Sequence, residues 1–276
     1  MKTAPHSDNF VNFQKHSGNI VKYITINNIK YFYRILKRSL NKETAVVCIH
    51  GSGADSVVWS YQLSRLSKYF KIIIPDLPAH GKSEGTPLKT AKEYANWLNE
   101  FSKSLSLDSF FLMGHSFGGA IAQEFAHHYA DKLKGLILIS TGPNFRFSKI
   151  YKELHEQGID LSQKEDIKSF LSSKDIPASF IKEYNALKEM SSSVLHDDLL
   201  AAGKFNSTSW LSSVKVPSLI LWGENDKITP KELPNKLSDL LPLSEFKTIN
   251  NSGHVVMIDA RDEFNSTIKD FIQQNG

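Results

Sequence analysis

The first regular pattern in the chain is an alternation of apolar and polar residues. Two alternating stretches, Val21–Ile26 and Ile29–Ile35, flank the pair Asn27-Asn28. An alternation with a period of two, centred on residues that tolerate positive φ, is typical of a hairpin of two strands. The start of the chain therefore predicts a β-hairpin with Asn27-Asn28 at its turn.

Beyond this hairpin the apolar residues form short, nearly continuous runs. These runs are Ala45–Ile49, Lys71–Pro75, Ser109–Met113, Gly135–Ile139 and Ser218–Leu221, and a last strand-like piece spans Glu245–Ile249. Strands that are apolar on both faces are typical of a parallel sheet covered by helices on both sides. Helix-like segments lie between the runs, at Trp59–Tyr69, Ala91–Leu105, Gly119–Lys132, Pro230–Leu240 and Arg261–Gln274. The alternation predicts a doubly wound α/β fold.

One section interrupts the alternation of strands and helices. Between Ser140 and Ser218 there is no buried-strand run, only short amphipathic pieces, one of them at Val194–Lys204. A structureless loop of about seventy residues is uncommon in a compact domain, so we expect an inserted helical cap over 142–209. The α/β core then comprises 19–141 and 210–276, and 1–18 form a polar extension. The large apolar residues that we expect to pack in the cap or to line a pocket are Phe145, Phe147, Phe170, Phe180, Met190 and Phe205.

Composition and charge are those of a soluble globular protein and argue against disulfide-linked, nucleic-acid-binding and membrane-spanning classes. Hydrophobic residues make up 41% of the chain, charged residues 22%, and the net charge is +4, as in ordinary soluble domains. Eight basic and two acidic residues lie within the first 43, but they are spread along strands and turns, so we expect no nucleic-acid partner. The single cysteine, Cys48, excludes an intrachain disulfide. The polar start and the short apolar runs predict a cytoplasmic protein without membrane insertion, and leave the oligomeric state open.

The sharpest local motif is Gly-x-Ser-x-Gly at 114–118, between a buried strand and a helix. Its glycines permit a turn so tight that Ser116 is strained and holds its hydroxyl above the edge of the sheet. We therefore predict Ser116 as a nucleophile. The same turn places the amide of Phe117 at the N-terminus of the helix, where it can stabilise a developing oxyanion.

A serine nucleophile needs a base, and the base needs a carboxylate that orients it. Five of the ten histidines follow Ser116, and His254 lies in the loop after the last strand, at the same edge of the sheet. We predict His254 as the base. The other four are His127 and His128, in the helix after the motif and expected at the surface, and His155 and His196, in the cap.

The segment that follows the strand at Ser218–Leu221 supplies the candidate acid. Asp226 lies in a turn at the same edge of the sheet as Ser116, with Glu224 as the alternative. The loop after the preceding strand, 140–144, contains no acidic residue, which strengthens the choice of Asp226. The resulting order Ser, Asp, His is the one that this architecture imposes.

The loop after the strand at Ala45–Ile49 is the expected source of a second oxyanion donor. Its glycines let the backbone approach the site, and we predict the amide of Ser52, with Gly53 as the alternative. Three further histidines have structural explanations: His50 braces this loop, His80 stabilises a turn and His115 packs under the nucleophile. No motif for zinc, a dinucleotide or a P-loop occurs, so neither a cofactor nor a metal is expected.

Together these residues resemble the α/β-hydrolase superfamily over about Asn19 to Gln274. The motifs that match, in the family's order, are His50-Gly51, Asp76-x-x-x-His80-Gly81-x-Ser83, Gly114-x-Ser116-x-Gly118, Gly223-x-x-Asp226 and Gly253-His254. The resemblance implies an eight-stranded, mostly parallel sheet with a cap inserted after the sixth strand. Within the superfamily the chain is most similar to cap-bearing carboxylesterases, lactonases, carbon–carbon bond hydrolases and cofactor-free haloperoxidases. Dehalogenases and epoxide hydrolases are disfavoured, since they have Asp where this chain has Ser116.

The favoured function is a serine hydrolase that cleaves a carboxylic ester or thioester of a small acid through an acyl-enzyme, so its partner is a small ester-like molecule. One alternative is a carbon–carbon bond hydrolase of dienoic acids, with Arg146 available for the substrate carboxylate. A second is a prolyl-type aminopeptidase that uses Glu153 or Glu183 for the substrate amine. The third is a non-catalytic ligand receptor on the same fold.

Overall fold

One mixed sheet forms the centre of the computed structural model, which describes residues 21–38, 44–145 and 192–276. In chain order its strands are β1 (Val21–Ile26), β2 (Ile29–Leu36), β3 (Ala45–Ile49), β4 (Lys71–Pro75), β5 (Phe110–His115), β6 (Leu133–Ile139), β7 (Ser218–Gly223) and β8 (Ser244–Ile249). Their spatial order is β1-β2-β4-β3-β5-β6-β7-β8. Only the β1–β2 and β2–β4 pairs of this described sheet are antiparallel. The predicted α/β fold and the eight-stranded sheet are confirmed.

The hairpin of β1 and β2 turns at the two asparagines. Asn27 has φ 51° and Asn28 has φ 64°. A two-residue turn with positive φ at both positions matches the twist of the strands that it joins, and asparagine adopts this conformation more readily than most residues. The predicted hairpin is therefore confirmed.

Helices cover both faces of the sheet. They are α1 (Ser60–Leu66), α2 (Ala91–Ser104), α3 (Phe117–His128), α4 (Ser192–Gly203), α5 (Glu232–Leu240), α6 (Val256–Asp259) and α7 (Arg261–Asn275). On one face Leu112 of β5 shares a buried cluster with residues of α2 and α3, and on the other Phe111 shares one with α1 and α7. Consecutive residues of β5 thus point into different apolar layers, which explains the continuous apolar run of this strand.

Two helical segments start earlier than the sequence predicts. The segment predicted to begin at Trp59 opens with a 3₁₀ turn at Ser56–Trp59, because the Asp55 carboxylate accepts a hydrogen bond from the Val57 amide and caps it. Helix α3 begins at Phe117, so Gly118 lies inside it. A side chain at Gly118 would lie 2.5 Å from the His50 carbonyl oxygen, so glycine lets α3 pack against the end of β3.

Much of the predicted cap and the whole N-terminal extension lie outside the described residues, so the boundaries at 18, 142 and 209 stay predictions. The same holds for the roles of Phe147, Phe170, Phe180 and Met190. Helix α4 occupies the predicted amphipathic piece at Val194–Lys204. Phe145 and Phe205 are buried, with ring centroids 6.1 Å apart, so both belong to the packed interior. Among the helices described, none is both long and apolar enough to span a bilayer.

Candidate active site

Ser116 occupies the turn between β5 and α3. Its φ of 52° and ψ of −119° lie outside the regions that residues with side chains normally adopt. The Ser116 amide donates to the Ile139 carbonyl at 2.9 Å, and its carbonyl accepts from the Gly119 amide at 2.8 Å and the Thr141 hydroxyl at 2.9 Å. The neighbouring strand β6 and its loop therefore hold the turn. Sequence reasoning gave Thr141 no role.

His254 and Asp226 form a buried hydrogen-bonded pair at the ends of β8 and β7. His254 Nδ1 lies 2.9 Å from Asp226 Oδ2 and 3.1 Å from Oδ1. Asp226 also accepts from the amides of Ile228 and Thr229, both at 2.9 Å, and from the Thr229 hydroxyl. Burial alone would raise the pKa of Asp226, but the charge of His254 and these hydrogen bonds outweigh it, so the pKa is lowered.

The alternative acid lies apart from this pair. Glu224 is exposed, and its carboxylate accepts a hydrogen bond from the Asn251 amide at 3.1 Å. Its own amide donates to the Ile249 carbonyl, which ties the loops after β7 and β8 together. The structure therefore places Asp226 next to His254, whereas the Glu224 side chain bonds the backbone of the loop after β8.

The loop after β3 packs against the turn at Ser116. A Cβ atom at Gly51 would lie 3.2 Å from Ser116 Cβ. Among the described residues, the amides of Ser52 and Phe117 have no hydrogen-bond acceptor. The Gly53 amide, in contrast, donates to Asp198 Oδ2 at 2.9 Å. Of the two candidates, Ser52 thus has an available N–H, whereas the alternative, Gly53, has its N–H already bonded.

Two histidines near the site bond the backbone. His50 braces its loop as predicted, whereas His115, predicted to pack under the turn at Ser116, bonds the loop of His254. His50 Nδ1 donates to the Gly51 carbonyl at 2.9 Å and Nε2 accepts from the Leu77 amide at 3.1 Å, so the ring is neutral. His115 Nε2 donates to the His254 carbonyl at 2.9 Å. Burial, and then the charge of His254, lower the pKa of His115 to about 3. The histidines predicted at the surface are exposed, namely His127 and His128.

A second buried histidine–carboxylate pair joins the core to α4, and sequence reasoning missed its acid. His80 Nε2 lies 2.7 Å from Asp198 Oδ2, and the Tyr94 hydroxyl donates to Asp198 Oδ1 at 3.1 Å. His80 Nδ1 bonds the Pro78 carbonyl at 2.9 Å, so the predicted stabilisation of a turn is only part of its role. The available signal was an acid in the apolar stretch 194–202, four residues after the buried Val194.

The hydrogen bonds of His80 fix its charge. Both ring nitrogens face an oxygen acceptor, one from Pro78 and one from Asp198, so both must carry a proton. Burial alone would lower the pKa of His80, but the Asp198 carboxylate more than compensates, and the pKa is raised. The His80–Asp198 contact is therefore a buried ion pair.

The remaining candidate residues are possible metal ligands, the single cysteine and side chains of the predicted cap. Within the ranges that the structure describes, no group of three or more His, Cys, Asp or Glu side chains could hold a metal ion. Cys48 lies fully buried in β3, and burial raises the pKa of its thiol. The side chains assigned to alternative functions or to the cap lie outside the described ones, namely Arg146, Glu153, Glu183, His155 and His196.

The chain is similar to known hydrolases in sequence and in structure. The model of a family described as "Alpha/beta hydrolase family" matches residues 46–267. The 2-hydroxy-6-oxo-6-phenylhexa-2,4-dienoate hydrolase of Burkholderia cepacia is 25% identical, over 91% of this chain and 96% of its own. The pimeloyl-[acyl-carrier protein] methyl ester esterase of Wigglesworthia glossinidia brevipalpis is 29% identical, over 74% and 82%. The solved structure of an esterase from Exiguobacterium antarcticum has the same fold, with a TM-score of 0.81, 21% identity and coverage of 91% and 98%.

Proposed function

The chain belongs to the alpha/beta hydrolase family, and on that premise we propose that it cleaves a carboxylic ester or thioester of a small acid through an acyl-enzyme. The observation that carries this proposal is the buried His254–Asp226 hydrogen bond at the edge of the sheet where Ser116 occupies its tight turn. The proposed roles are nucleophile for Ser116, base for His254 and orienting acid for Asp226.

Acylation begins with attack of Ser116 Oγ on the substrate carbonyl carbon while His254 Nε2 accepts the hydroxyl proton. Asp226 holds the Nδ1 proton of His254, which leaves Nε2 with the lone pair that a base needs. The carbonyl oxygen becomes negative and accepts hydrogen bonds from the amides of Ser52 and Phe117. Collapse breaks the bond to the leaving group, which departs as an alcohol or thiol with the proton from His254.

Deacylation repeats the same steps with water. His254 takes a proton from the water, the hydroxide attacks the acyl carbon, and Ser116 leaves with the proton returned by His254. The lowered pKa of Asp226 keeps its carboxylate ionised at neutral pH, so it can stabilise the positive charge that His254 acquires in both half-reactions.

The choice of an ester rests on the serine nucleophile and on the name of the Wigglesworthia relative, a methyl ester esterase. A carbon–carbon bond hydrolase is the second candidate, since the Burkholderia relative hydrolyses a dienoate and the match spans 96% of its length. The two reactions place different leaving groups on the same carbonyl carbon, an alkoxide or thiolate in one and a carbanion in the other. A substrate panel therefore separates them.

Labelling with a fluorophosphonate tests the nucleophile. Peptide mapping should find the label on Ser116, and Ser116→Ala should remove it and lower ester turnover by about 10⁴- to 10⁶-fold. Ser140→Ala is a matched control, because Ser140 also follows a strand, has φ 46° and has a buried hydroxyl without a partner among the described residues. Label on another serine of the wild-type protein, or on none, would contradict the proposal.

A panel of nitrophenyl esters, acyl thioesters, lactones and dienoic acids tests the substrate class. We expect turnover of short-chain esters or thioesters that disappears in Ser116→Ala. Cleavage confined to the dienoic acids would support the carbon–carbon bond hydrolase instead. Binding of a panel member without turnover, in a protein that fluorophosphonate does not label, would support the receptor.

A further inference from the structure

Asp198 is a fully buried carboxylate that the proposed mechanism does not use. It projects from α4 and receives hydrogen bonds from three groups of the core: Gly53 N at 2.9 Å, His80 Nε2 at 2.7 Å and the Tyr94 hydroxyl at 3.1 Å. A carboxylate is costly to bury unless such partners satisfy it. These three donors and the charge on His80 hold the Asp198 side chain in one place.

Helix α4 also packs directly on the loop that carries Gly53. A Cβ atom at Gly53 would lie 3.0 Å from Leu195 Cδ1, and the Gly53 φ of 63° favours glycine. Leu195 and Asp198 are three residues apart, so they lie on the same face of α4. This face therefore fixes the loop twice, by an apolar contact and by a hydrogen bond to its backbone.

The bond to Asp198 decides between the two amides that are candidates for the second oxyanion donor. Gly53 has its N–H directed to the carboxylate, whereas the Ser52 N–H has no acceptor among the described residues. Gly51, one residue earlier, packs against Ser116 Cβ. Because the Gly53 N–H points to Asp198 on α4, the Ser52 N–H is left as the candidate donor next to the nucleophile.

We propose that Asp198 is the positioning residue of the oxyanion hole, which it holds in shape from α4 through the Gly53 amide. This inference rests on the proposed function. It makes assembly of the hole depend on the docking of α4, because the loop loses its hydrogen bond when the helix departs. Asp198 touches no reacting atom, and its effect reaches the chemistry through the loop backbone.

The decisive experiment is a crystal structure of the wild-type protein with a phosphonate on Ser116. We expect the phosphoryl oxygen to accept from the amides of Ser52 and Phe117 while Gly53 N stays on Asp198. A Gly53 amide that leaves Asp198 for the phosphoryl oxygen would overturn the inference. A wild-type protein without label on Ser116 and without ester turnover would overturn the proposed function, and the inference with it.

Variants of Asp198 test the same point in solution. Asp198→Leu has a similar volume but no acceptor for Gly53, and kcat should fall about 10- to 100-fold with KM little changed, less than for outright loss of an oxyanion donor. Affinity for a trifluoromethyl ketone, whose tetrahedral adduct uses the same hole, should fall by the same factor. Asp198→Asn retains an acceptor oxygen and should recover most of both losses.

Asp197→Asn is the matched control on the same helix, because Asp197 is partly exposed and pairs with Lys89 at 3.6 Å. It should change neither quantity. A purely structural role of Asp198 predicts lower stability with unchanged affinity for the trifluoromethyl ketone in the protein that remains folded. That result would overturn the inference, and the adduct structure decides the question if Asp198→Leu does not fold.

Discussion

Among the residues that the structure describes, two buried histidine–aspartate pairs differ in what the second ring nitrogen does. His254 bonds Asp226 through Nδ1, and its Nε2 has no partner among the described residues. His80 bonds Asp198 through Nε2, and its Nδ1 bonds the Pro78 carbonyl. A base needs a nitrogen that can accept a proton, and His80 has none to offer. The same two side chains thus leave one ring nitrogen able to accept a proton in the first pair and leave none in the second, which is an ion pair.

The two pairs also differ in the elements that carry them. Asp226 and His254 follow neighbouring strands of the sheet, β7 and β8, whereas Asp198 comes from α4, beyond the sheet. The first pair is held by the core and the second joins the core to the predicted cap. We therefore expect turnover to depend most strongly on the first pair. The second pair should affect stability and, through the Gly53 amide, have a smaller effect on turnover.

The largest expected effect is the difference in ester turnover between variants of the two histidines. His254→Gln removes the proposed base, and ester turnover should fall about 10⁴- to 10⁶-fold. His80→Gln keeps a donor for Asp198 and should cost no more than about 100-fold, as expected of a small displacement near the site. Steady-state kinetics on proteins with wild-type circular dichroism would measure both, and a more severe effect in His80→Gln would reverse the assignment.

The next effect concerns the acid. Asp226→Asn should lower kcat by about 10⁴-fold, because the imidazole loses the carboxylate that fixes its tautomer. Glu224→Gln is the matched control: it lies in the same loop, is exposed and bonds only a backbone amide among the described groups. Its kcat should stay close to wild type. A mild Asp226→Asn beside a severe Glu224→Gln would show that the acid is Glu224.

Loss of the second pair, His80–Asp198, should lower the stability of the protein. Asp198→Ala leaves the buried His80 without its partner, so the ring either stays charged and unpaired or gives up its proton, which should lower the free energy of unfolding by about 3–5 kcal/mol. Asp197→Ala removes only a partly exposed contact with Lys89, and its effect should stay below about 1 kcal/mol. Urea unfolding followed by fluorescence would compare the two variants. Equal small losses would mean that α4 does not depend on the buried pair.

The smallest effect is a pH dependence of that stability. The pKa of His80 is raised in the folded state, so its contribution is fully present below the ordinary histidine value of 6.5 and is lost as pH rises through the raised pKa. Asp198→Asn removes the cause of this rise. The difference in Tm between wild type and Asp198→Asn should therefore be largest in mild acid and narrow in alkali.

Other groups near His80 should not reproduce this pH dependence. The pKa of buried His50 is lowered by its burial and by His80, and that of Tyr94 is raised by burial and Asp198, so both stay neutral over the range. Burial and the charge of Asp76 raise the pKa of Asp55 to about 7, but this carboxyl is present in both proteins and its contribution largely cancels. A constant difference in Tm would contradict a charged His80.

The sequence predicts the core and the first pair well because their signals are local. The hairpin needs only Asn27-Asn28 between alternating residues, and Asp226 and His254 each follow an apolar run that marks a strand. The second pair has no such signal, because His80 and Asp198 are 118 residues apart and Gly53 and Asp198 are 145 apart. Which core residue an acid on α4 will meet depends on how the chain returns to the sheet, and apolar periodicity does not encode that path.

The order of the strands along the chain has a consequence for synthesis. The central strands β3 and β5, which bring Ser52 and Ser116 together, leave the ribosome well before β8 and the loop with His254. Domains tend to acquire structure as their segments emerge, and parallel strands must wait for distant partners. In the proposed mechanism a nascent chain that ends between β7 and β8 contains the serine and the acid but no base. Reactivity toward esters would then arise only after all eight described strands of the sheet have been translated.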